Sequence, residues 1–173
     1  GKTLQVIWAA CELYRRGIIN RVIVLCPATV RSVWFDPELG ELKKHLPEDL
    51  SAAITEFHAK TRRWHHGPAS KLPFEWVISN YDFIRSKSRI SGLKVLCTHQ
   101  TLLVLDESSA VKNHRSLQTR ACLTLRKRCG RVVLLNGTPI ENNPGDMYSQ
   151  GHIMSKDILE CTNWYYFRAR YAV

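Results

Sequence analysis

Several patterns that mark common protein classes are missing from the sequence. The six cysteines include no Cys-x-x-Cys pair and no histidine partners at zinc-ligand spacing, which argues against a zinc module or a disulfide framework. No apolar run approaches the roughly 20 residues that a membrane-spanning helix needs, and there is no internal repeat or low-complexity tract. These absences favour a globular protein with reduced thiols, in a cytosol-like compartment and with no membrane partner.

The chain does have a basic charge balance and enough apolar residues for a core. Its 173 residues, 45% of them hydrophobic, fit one globular domain. Lys and Arg number 25 against 15 Asp and Glu, which gives a formal net charge of +10. This charge favours polyanionic partners such as nucleic acid or nucleotide phosphates, but it equally serves solubility, so charge alone does not decide the function.

Apolar runs rich in β-branched residues alternate along the chain with helix-compatible segments. Strands are predicted at 21–26, 52–55, 75–80, 102–106 and 131–135. Helices are predicted at 3–16, 33–45, 81–86 and 117–129, and an exposed loop at 61–74. Strands that alternate with helices predict an α/β fold in which helices flank a parallel sheet.

The first polar cluster of interest is Gly1-Lys2-Thr3, which opens the first predicted helix. It matches the end of the phosphate loop Gly-x4-Gly-Lys-Ser/Thr, in which the Lys reaches the phosphates and the hydroxyl residue holds Mg²⁺. A tripeptide of this kind often arises by chance, so taken alone it is a weak indication.

The second cluster is the adjacent pair Asp106 and Glu107, into which an apolar strand runs directly. At a strand tip the first carboxylate can hold Mg²⁺ through water, and the second can orient or deprotonate an attacking water. Taken alone, such a pair is more simply a strand that leaves into a solvated acidic loop. Downstream, Gly137 and Thr138 follow the last apolar run and precede Pro139. Because ligands bind at the carboxyl edge of parallel sheets, the three clusters together predict one ATPase site.

Together these motifs resemble those of the Swi/Snf-like ATPases of helicase superfamily II, of phage or bacterial type. GKT is similar to the end of motif I, VISNYDFIR to motif Ib, LDESSAVKN to motif II and LLNGTPIENNPGDMYS to motif III. VIVLCPATVRSVWFDPEL is similar to motif Ia, in which an apolar strand is followed by Pro, a small residue and a Trp that opens a helix. YYFRARYAV is similar to the family segment with a Phe and an Arg-Tyr pair.

The resemblance implies a fold and a role for individual residues. Residues 1–173 would form the first RecA-like P-loop NTPase domain of a motor that uses ATP and Mg²⁺. In that reading Gly1, Lys2 and Thr3 bind phosphate, Thr3 and Asp106 organise Mg²⁺, Glu107 positions or activates water, and Gly137 and Thr138 couple nucleotide state to DNA. The implied partner is double-stranded DNA, whose sugar-phosphate backbone would be contacted by Pro27, Ala28, Thr29, Ser79, Asn80 and Lys112. For Lys112, a solvent-exposed lysine without a role in DNA binding is nearly as good an interpretation.

Two residues depart from the family pattern. Ser109 stands where the family commonly has the His of Asp-Glu-Ala-His, and Asn136 stands where Thr or Ser is more usual. Neither change touches the residues that would bind Mg²⁺ or position water, so the departures bear on coupling between motifs II and III. The alternatives are a catalytically inactive DNA-binding module of the same fold and, more remotely, a phosphate-loop enzyme such as a small-molecule kinase.

The resemblance also predicts that the chain is a piece of a longer protein. The strand before the phosphate loop would lie beside 131–135, and without it that strand would present an unpaired edge and poor solubility. The second RecA-like domain would supply an arginine finger, so the piece alone is expected to hydrolyse ATP negligibly. The expected location is the cytoplasm of a bacterium or phage-infected cell, or the nucleus if the source is eukaryotic.

Overall fold

A computed structural model describes residues 1–57, 74–138, 144–155, 157–161 and 163–171, and its strands form one parallel sheet. The strands are β1 (Arg21–Cys26), β2 (Ala52–Glu56), β3 (Phe74–Asn80), β4 (Thr101–Leu105) and β5 (Arg131–Leu134). Their order is β2-β3-β1-β4-β5, and each neighbouring pair is parallel. The predicted α/β fold with a parallel sheet is confirmed.

Helices cover both faces of this sheet. They are α1 (Lys2–Arg15), α2 (Arg31–Phe35), α3 (Glu41–His45), α4 (Lys87–Leu96), α5 (Leu117–Arg126), α6 (Asp146–Met154) and α7 (Trp164–Tyr171). Helices α1 to α3 pack on one face, and α4 to α6 pack on the other. None of the helices in the described part of the chain combines the length and the apolar character needed to cross a membrane.

The core follows from the alternation of side chains along the central strands. In β1, Val22 and Val24 point into the cluster under α1 to α3, whereas Ile23 and Leu25 point into the cluster under α4 to α6. All six residues of β1 and all five of β4 are buried, as expected for parallel strands covered on both sides. Each buried Val, Leu or Ile stabilises the fold by about 1.5–3 kcal/mol relative to an exposed one.

Strand β5 lies at one edge of the sheet. Within the described residues it pairs with β4 alone; its first residue is exposed and the other three are half-buried. This is the edge position that the sequence predicts for 131–135. Backbone N–H and C=O groups along the free side of such a strand form a surface on which another strand can pair.

The predicted helix at 33–45 is wrong as a single helix. Helix α2 ends before Pro37, which forces the preceding Asp36 into an extended conformation with φ −50° and ψ 129°. The Asp36 carboxylate then accepts hydrogen bonds from the backbone N–H groups of Leu39 (2.8 Å) and Glu38 (2.9 Å), which lower its pKa. At Gly40 a Cβ would lie only 2.5 Å from the Asp36 carbonyl oxygen, so the turn into α3 requires glycine.

Other helix predictions also differ from the structure. The predicted helix at 81–86 is only a 3₁₀ turn at Phe83–Arg85, and α4, α6 and α7 were not predicted. Helix α4 buries Ile90, Leu93 and Leu96, whose three-residue spacing was an available signal. The predicted loop at 61–74 falls outside the described residues, apart from Phe74, which begins β3.

Candidate nucleotide site

The predicted site residues lie along the carboxyl edge of the sheet. The strand register sets Cys26 level with Asn80 and Leu25 level with Leu105, so the segments that follow these strands emerge side by side. The amino end of α1 lies at the same edge, because Lys2 contacts the residue that follows Asp106.

Lys2 brings together parts of all three predicted clusters. Its Nζ lies 3.8 Å from Oε1 of Glu107, and a Cβ placed on Gly137 would lie 3.8 Å from the same Nζ. The side chains of Lys2 and Glu107 are each about half exposed (46% and 48%). The ammonium group is therefore accessible and is held between the acidic pair and the turn after β5.

The amino end of α1 is suited to bind an anion. Gly1 precedes the helix and makes no side-chain capping hydrogen bond, and the first turn contains no acidic residue. The first intrahelical bond runs from Gln5 N–H to the Gly1 carbonyl (3.3 Å), so the N–H groups of the first turn lack helical partners. Together with the helix dipole and Lys2, these groups fit a phosphate.

Asp106 accepts three hydrogen bonds at the end of β4, and its own N–H donates to the Leu25 carbonyl (2.8 Å). The backbone N–H of Glu107 donates to Oδ1 (3.0 Å), and the indole N–H of Trp34 donates to Oδ2 (2.8 Å). The hydroxyl of Tyr81 donates to the Asp106 carbonyl (2.8 Å). The carboxylate therefore has a defined orientation.

Glu107 leaves the strand in a left-handed backbone conformation, with φ 49° and ψ 60°. Left-handed backbone costs a non-glycine residue roughly 1–2 kcal/mol, so surrounding contacts must hold it. The turn breaks the direction of β4 at once, and the side chain lies beside Lys2 instead of continuing the strand alternation.

The turn after Glu107 is linked to the turn after β5 through Gln150. The hydroxyl of Ser108 and the side-chain N–H of Asn136 both donate to Oε1 of Gln150, at 2.7 and 3.3 Å. The Nε2 of Gln150 donates to the Asp146 carbonyl (2.9 Å), which fixes the amide on α6. Ser108 is fully buried and Gln150 is 4% exposed.

Ser109, the first departure from the family pattern, lies next to this link. Ser109 accepts a backbone hydrogen bond from Lys112 through its carbonyl (3.2 Å), whereas its neighbour Ser108 supplies the hydroxyl that reaches Gln150. Asn136 also accepts from the N–H of Thr138 (3.2 Å), so the unusual Asn shapes the Gly137–Thr138 turn. The departures from the family pattern lie beside or within one hydrogen-bonded connection.

The predicted DNA-contacting residues are not equally accessible. Ala28 and Thr29 are exposed in the 3₁₀ turn after β1, while Pro27 and Asn80 are partly buried. Ser79 is fully buried and its hydroxyl donates to the Phe57 carbonyl (3.0 Å), so its side chain is not presented to a partner. Lys112 is partly buried beyond the turn of motif II, where its carbonyl accepts from Ser149.

The residues present suit Mg²⁺ better than a transition metal. Within the described ranges, no group of three or more His, Cys, Asp and Glu side chains could hold a metal ion. All six cysteines are unpaired and buried, and burial raises the pKa of Cys26 to about 12. The Thr3 hydroxyl and the Asp106 carboxylate are hard oxygen donors, and Mg²⁺ typically takes few protein ligands besides water and phosphate.

Comparison with known families identifies the family of this chain. Residues 1–170 match the SNF2-related domain family. The chain belongs to the SNF2-related family. The resemblance found in the motifs is therefore confirmed.

Individual relatives of this SNF2-related chain are much longer than it is. It is 27% identical over 150 residues to the SWI/SNF-related matrix-associated actin-dependent regulator of chromatin subfamily A-like protein 1 of Xenopus tropicalis, covering 87% of this chain and 14% of that protein. It is 27% identical over 177 residues to the ATP-dependent DNA helicase DDM1 of Arabidopsis thaliana, covering 96% of this chain and 22% of that protein. The chain thus spans between a seventh and a quarter of the length of these relatives.

A solved structure supports the fold. The Sulfolobus solfataricus SWI2/SNF2 ATPase core in complex with dsDNA is similar with a TM-score of 0.72 and 24% identity, over 99% of this chain and 32% of that chain. The RecA-like arrangement of the SNF2-related chain is therefore confirmed. The prediction of a phage or bacterial source stays a prediction.

The sequence did not reveal Tyr81, Ser108 and Gln150 as parts of the site, and it gave Trp34 no role beyond opening a helix. Trp34 stands in the motif Ia stretch, and Ser108 directly follows the acidic pair, so their positions were available signals. For Gln150 the sequence carries no such signal, because its burial and its partners depend on the packing of α6.

Proposed function

We propose that the chain is the ATP-binding lobe of a DNA-dependent ATPase that translocates on double-stranded DNA. The observation that carries the proposal is the position of the Lys2 ammonium, between Glu107 and Gly137 at an uncapped helix end. Membership of the SNF2-related family supports the same activity. Geometry and family membership thus both support the proposal of one binding site for a triphosphate.

In the proposed cycle, Lys2 exchanges one anionic partner for another. Its contact with Glu107 joins two half-exposed groups at 3.8 Å, and such pairs contribute about 0–1 kcal/mol. A nucleotide phosphate at the end of α1 would therefore displace the Glu107 carboxylate easily. Once released, Glu107 would orient or deprotonate the attacking water.

Asp106 and Thr3 would hold the metal. The bound Mg²⁺ would neutralise charge that develops on the transferred phosphoryl group. The two hydrogen bonds to the Asp106 carboxylate keep it oriented, and each oxygen retains a lone pair for a metal-bound water.

Contact with DNA is proposed along the same edge of the sheet. Ala28 and Thr29 are exposed there, and backbone contacts of this kind carry no base information, as translocation requires. A second RecA-like domain in the same protein is proposed to supply the arginine finger. The Sulfolobus solfataricus SWI2/SNF2 ATPase core, whose solved structure is a complex with dsDNA, supports the choice of partner.

The test is a Glu107→Gln variant of the full-length protein that contains this chain. Loss of the general base should lower DNA-stimulated ATP hydrolysis by at least about 100-fold, while nucleotide binding is retained. Glu12→Gln is the matched control, because Glu12 pairs with Arg16 at the far end of α1 (2.7 Å). Its turnover should equal that of the wild type.

Unchanged turnover in Glu107→Gln would overturn the proposal. A wild-type protein that binds DNA but hydrolyses no ATP would favour a DNA-binding module of the same fold. Hydrolysis that ignored added DNA would favour a phosphate-loop enzyme of another class.

A further inference from the structure

Among the described residues, Trp34 supplies the one side-chain hydrogen bond to the Asp106 carboxylate. Its indole N–H donates to Oδ2 at 2.8 Å, and the ring is fully buried in α2. A hydrogen bond to an ionised carboxylate is stronger than a neutral one. The indole therefore contributes to the state of Asp106 and not only to the core.

Trp34 supplies the constraint that the backbone alone does not. The backbone N–H of Glu107 holds only Oδ1. Without the indole, the carboxylate group could turn while keeping that one hydrogen bond. With Oδ2 held as well, the plane of the carboxylate is set. Oxygen ligands of Mg²⁺ must meet a strict octahedral geometry, so this plane affects how well the metal binds.

The indole is itself held in place by a row of aromatic rings. Trp34 packs on Trp76 (ring centroids 6.5 Å apart), Trp76 on Phe74 (5.3 Å), and Phe74 stacks on Tyr14 of α1 (4.4 Å). Trp76 and Phe74 belong to β3, the strand next to β1. The donor therefore sits on a rigid support that reaches the helix carrying Lys2.

We propose that Trp34 is a positioning residue for metal-nucleotide binding, which acts by fixing the Asp106 carboxylate through its indole N–H. This inference rests on the proposed function of the site. Helix α2 directly follows the exposed turn with Ala28 and Thr29. The Trp34–Asp106 hydrogen bond therefore also joins the proposed metal-binding carboxylate to the segment proposed to contact DNA.

Trp76 provides a matched control within the same core cluster. Its ring is as buried as that of Trp34, but its Nε1 has no hydrogen-bond partner among the described residues. Trp34→Phe and Trp76→Phe thus remove the same atoms from the same cluster. Only the first variant removes a hydrogen bond to Asp106.

The experiment measures binding of a fluorescent ATP analogue to the full-length protein as Mg²⁺ is titrated, together with the melting temperature. Trp34→Phe should raise the Mg²⁺ concentration for half-maximal binding about 10-fold or more, the usual cost of losing a partner of a metal-ligating side chain. Saturating Mg²⁺ should restore most of the ATP turnover. Because Trp76→Phe keeps an aromatic ring beside Trp34 and leaves the Trp34–Asp106 hydrogen bond in place, its Mg²⁺ dependence should equal that of the wild type.

Suppose that the wild type shows Mg²⁺-dependent nucleotide binding and that both variants have the same Mg²⁺ dependence. That result would overturn the proposed role of Trp34 but not the proposed function. A wild-type protein with no Mg²⁺-dependent nucleotide binding would overturn the proposed function and this inference together. If Trp34→Phe does not fold, the isosteric analogue benzothienylalanine, which has sulfur in place of N–H, is placed at position 34 and must give the same rise in Mg²⁺ requirement.

Discussion

Gln150 joins the two turns that flank the candidate site through a single side-chain oxygen. Oε1 accepts from the buried hydroxyl of Ser108 and from Asn136, and so connects the turn after β4 with the turn after β5. A displacement of one turn therefore displaces the Gln150 side chain on α6, which is hydrogen-bonded to the other turn. The hydrogen bonds therefore hold the segment after β4 and the segment after β5 in a fixed relation to each other.

The link predicts that Ser108 and Gln150 are energetically coupled. Gln150→Leu should destabilise the protein by about 1–3 kcal/mol, because the Ser108 hydroxyl loses its acceptor in the core. The double variant Ser108→Ala/Gln150→Leu should recover part of this cost, since the fully buried Ser108 hydroxyl is then gone and only the half-buried Asn136 amide has lost its acceptor. Urea denaturation of the four proteins in the cycle measures the coupling.

A coupling near zero in that cycle would contradict the prediction. Ser149→Ala is a suitable control, because its hydroxyl donates to the Lys112 carbonyl (3.0 Å) and not to Gln150. Its effect should add to that of Ser108→Ala within about 0.5 kcal/mol.

The sequence revealed the charged residues of the site but not the side chains that hold them. Lys2 and Asp106 were recognisable because their residue types and their positions at a helix start and a strand end indicate their chemistry. Trp34 and Gln150 find partners 72 and 42 residues away along the chain, so no local pattern identifies those contacts. Only the packed fold reveals them.

The start of β1 carries a nearly buried ion pair. Arg21 and Glu75 are register partners on β1 and β3, their Nε and Oε2 atoms lie 2.6 Å apart, and their side chains are only 10% and 14% exposed. Arg21 also donates to the Leu96 carbonyl at the end of α4 (2.6 Å). The pair ties two central strands to the helix layer.

Breaking this pair from one side should be costly. Glu75→Leu leaves the Arg21 charge buried without its carboxylate and should cost roughly 3–5 kcal/mol of unfolding free energy. Arg21→Met/Glu75→Leu should lie near the wild type, because both desolvated charges are removed. Thermal and urea unfolding measure both.

The exposed pair Arg15–Asp49 is the control for that prediction. Its atoms also lie close (2.9 Å), but both side chains are well exposed and screened by solvent, so Asp49→Asn should lower the free energy of unfolding far less than Glu75→Leu does. If Glu75→Leu were as mild as Asp49→Asn, the buried pair would not stabilise the sheet.

Strands were easier to predict from the sequence than helices. Each of the five runs was recognised because fully covered parallel strands are continuously apolar, and the ends of the strands differ from the predictions by at most one residue. The helices α4 and α6 were missed because Gly92 and Gly151 interrupt their patterns. At both positions a Cβ would press on a neighbouring side chain, so these glycines serve helix packing and not chain breaks.

At the scale of the whole molecule, residues 1–173 on their own are predicted to be a nearly inactive ATPase. If the proposed second RecA-like domain supplies an arginine finger, residues 1–173 should hydrolyse ATP at least about 1,000-fold more slowly than a protein that includes that domain, which is the lower bound for the effect of such a finger. Parallel assays of the two proteins with and without DNA measure the ratio. DNA-stimulated turnover by the 173-residue chain at the full-length rate would contradict the prediction.

The strand order has a consequence for biosynthesis. The central strand β1 is translated before both of its neighbours. Val22 can pair with Trp76 of β3 and Leu102 of β4 only after those residues have been synthesised. At roughly 5–20 residues per second, a ribosome needs about 4–16 seconds to bring the second neighbour out. During that interval the apolar β1 segment lacks its neighbouring strands and is exposed to chaperones and to other nascent chains. Slower translation after β1 should therefore lower the yield of folded protein.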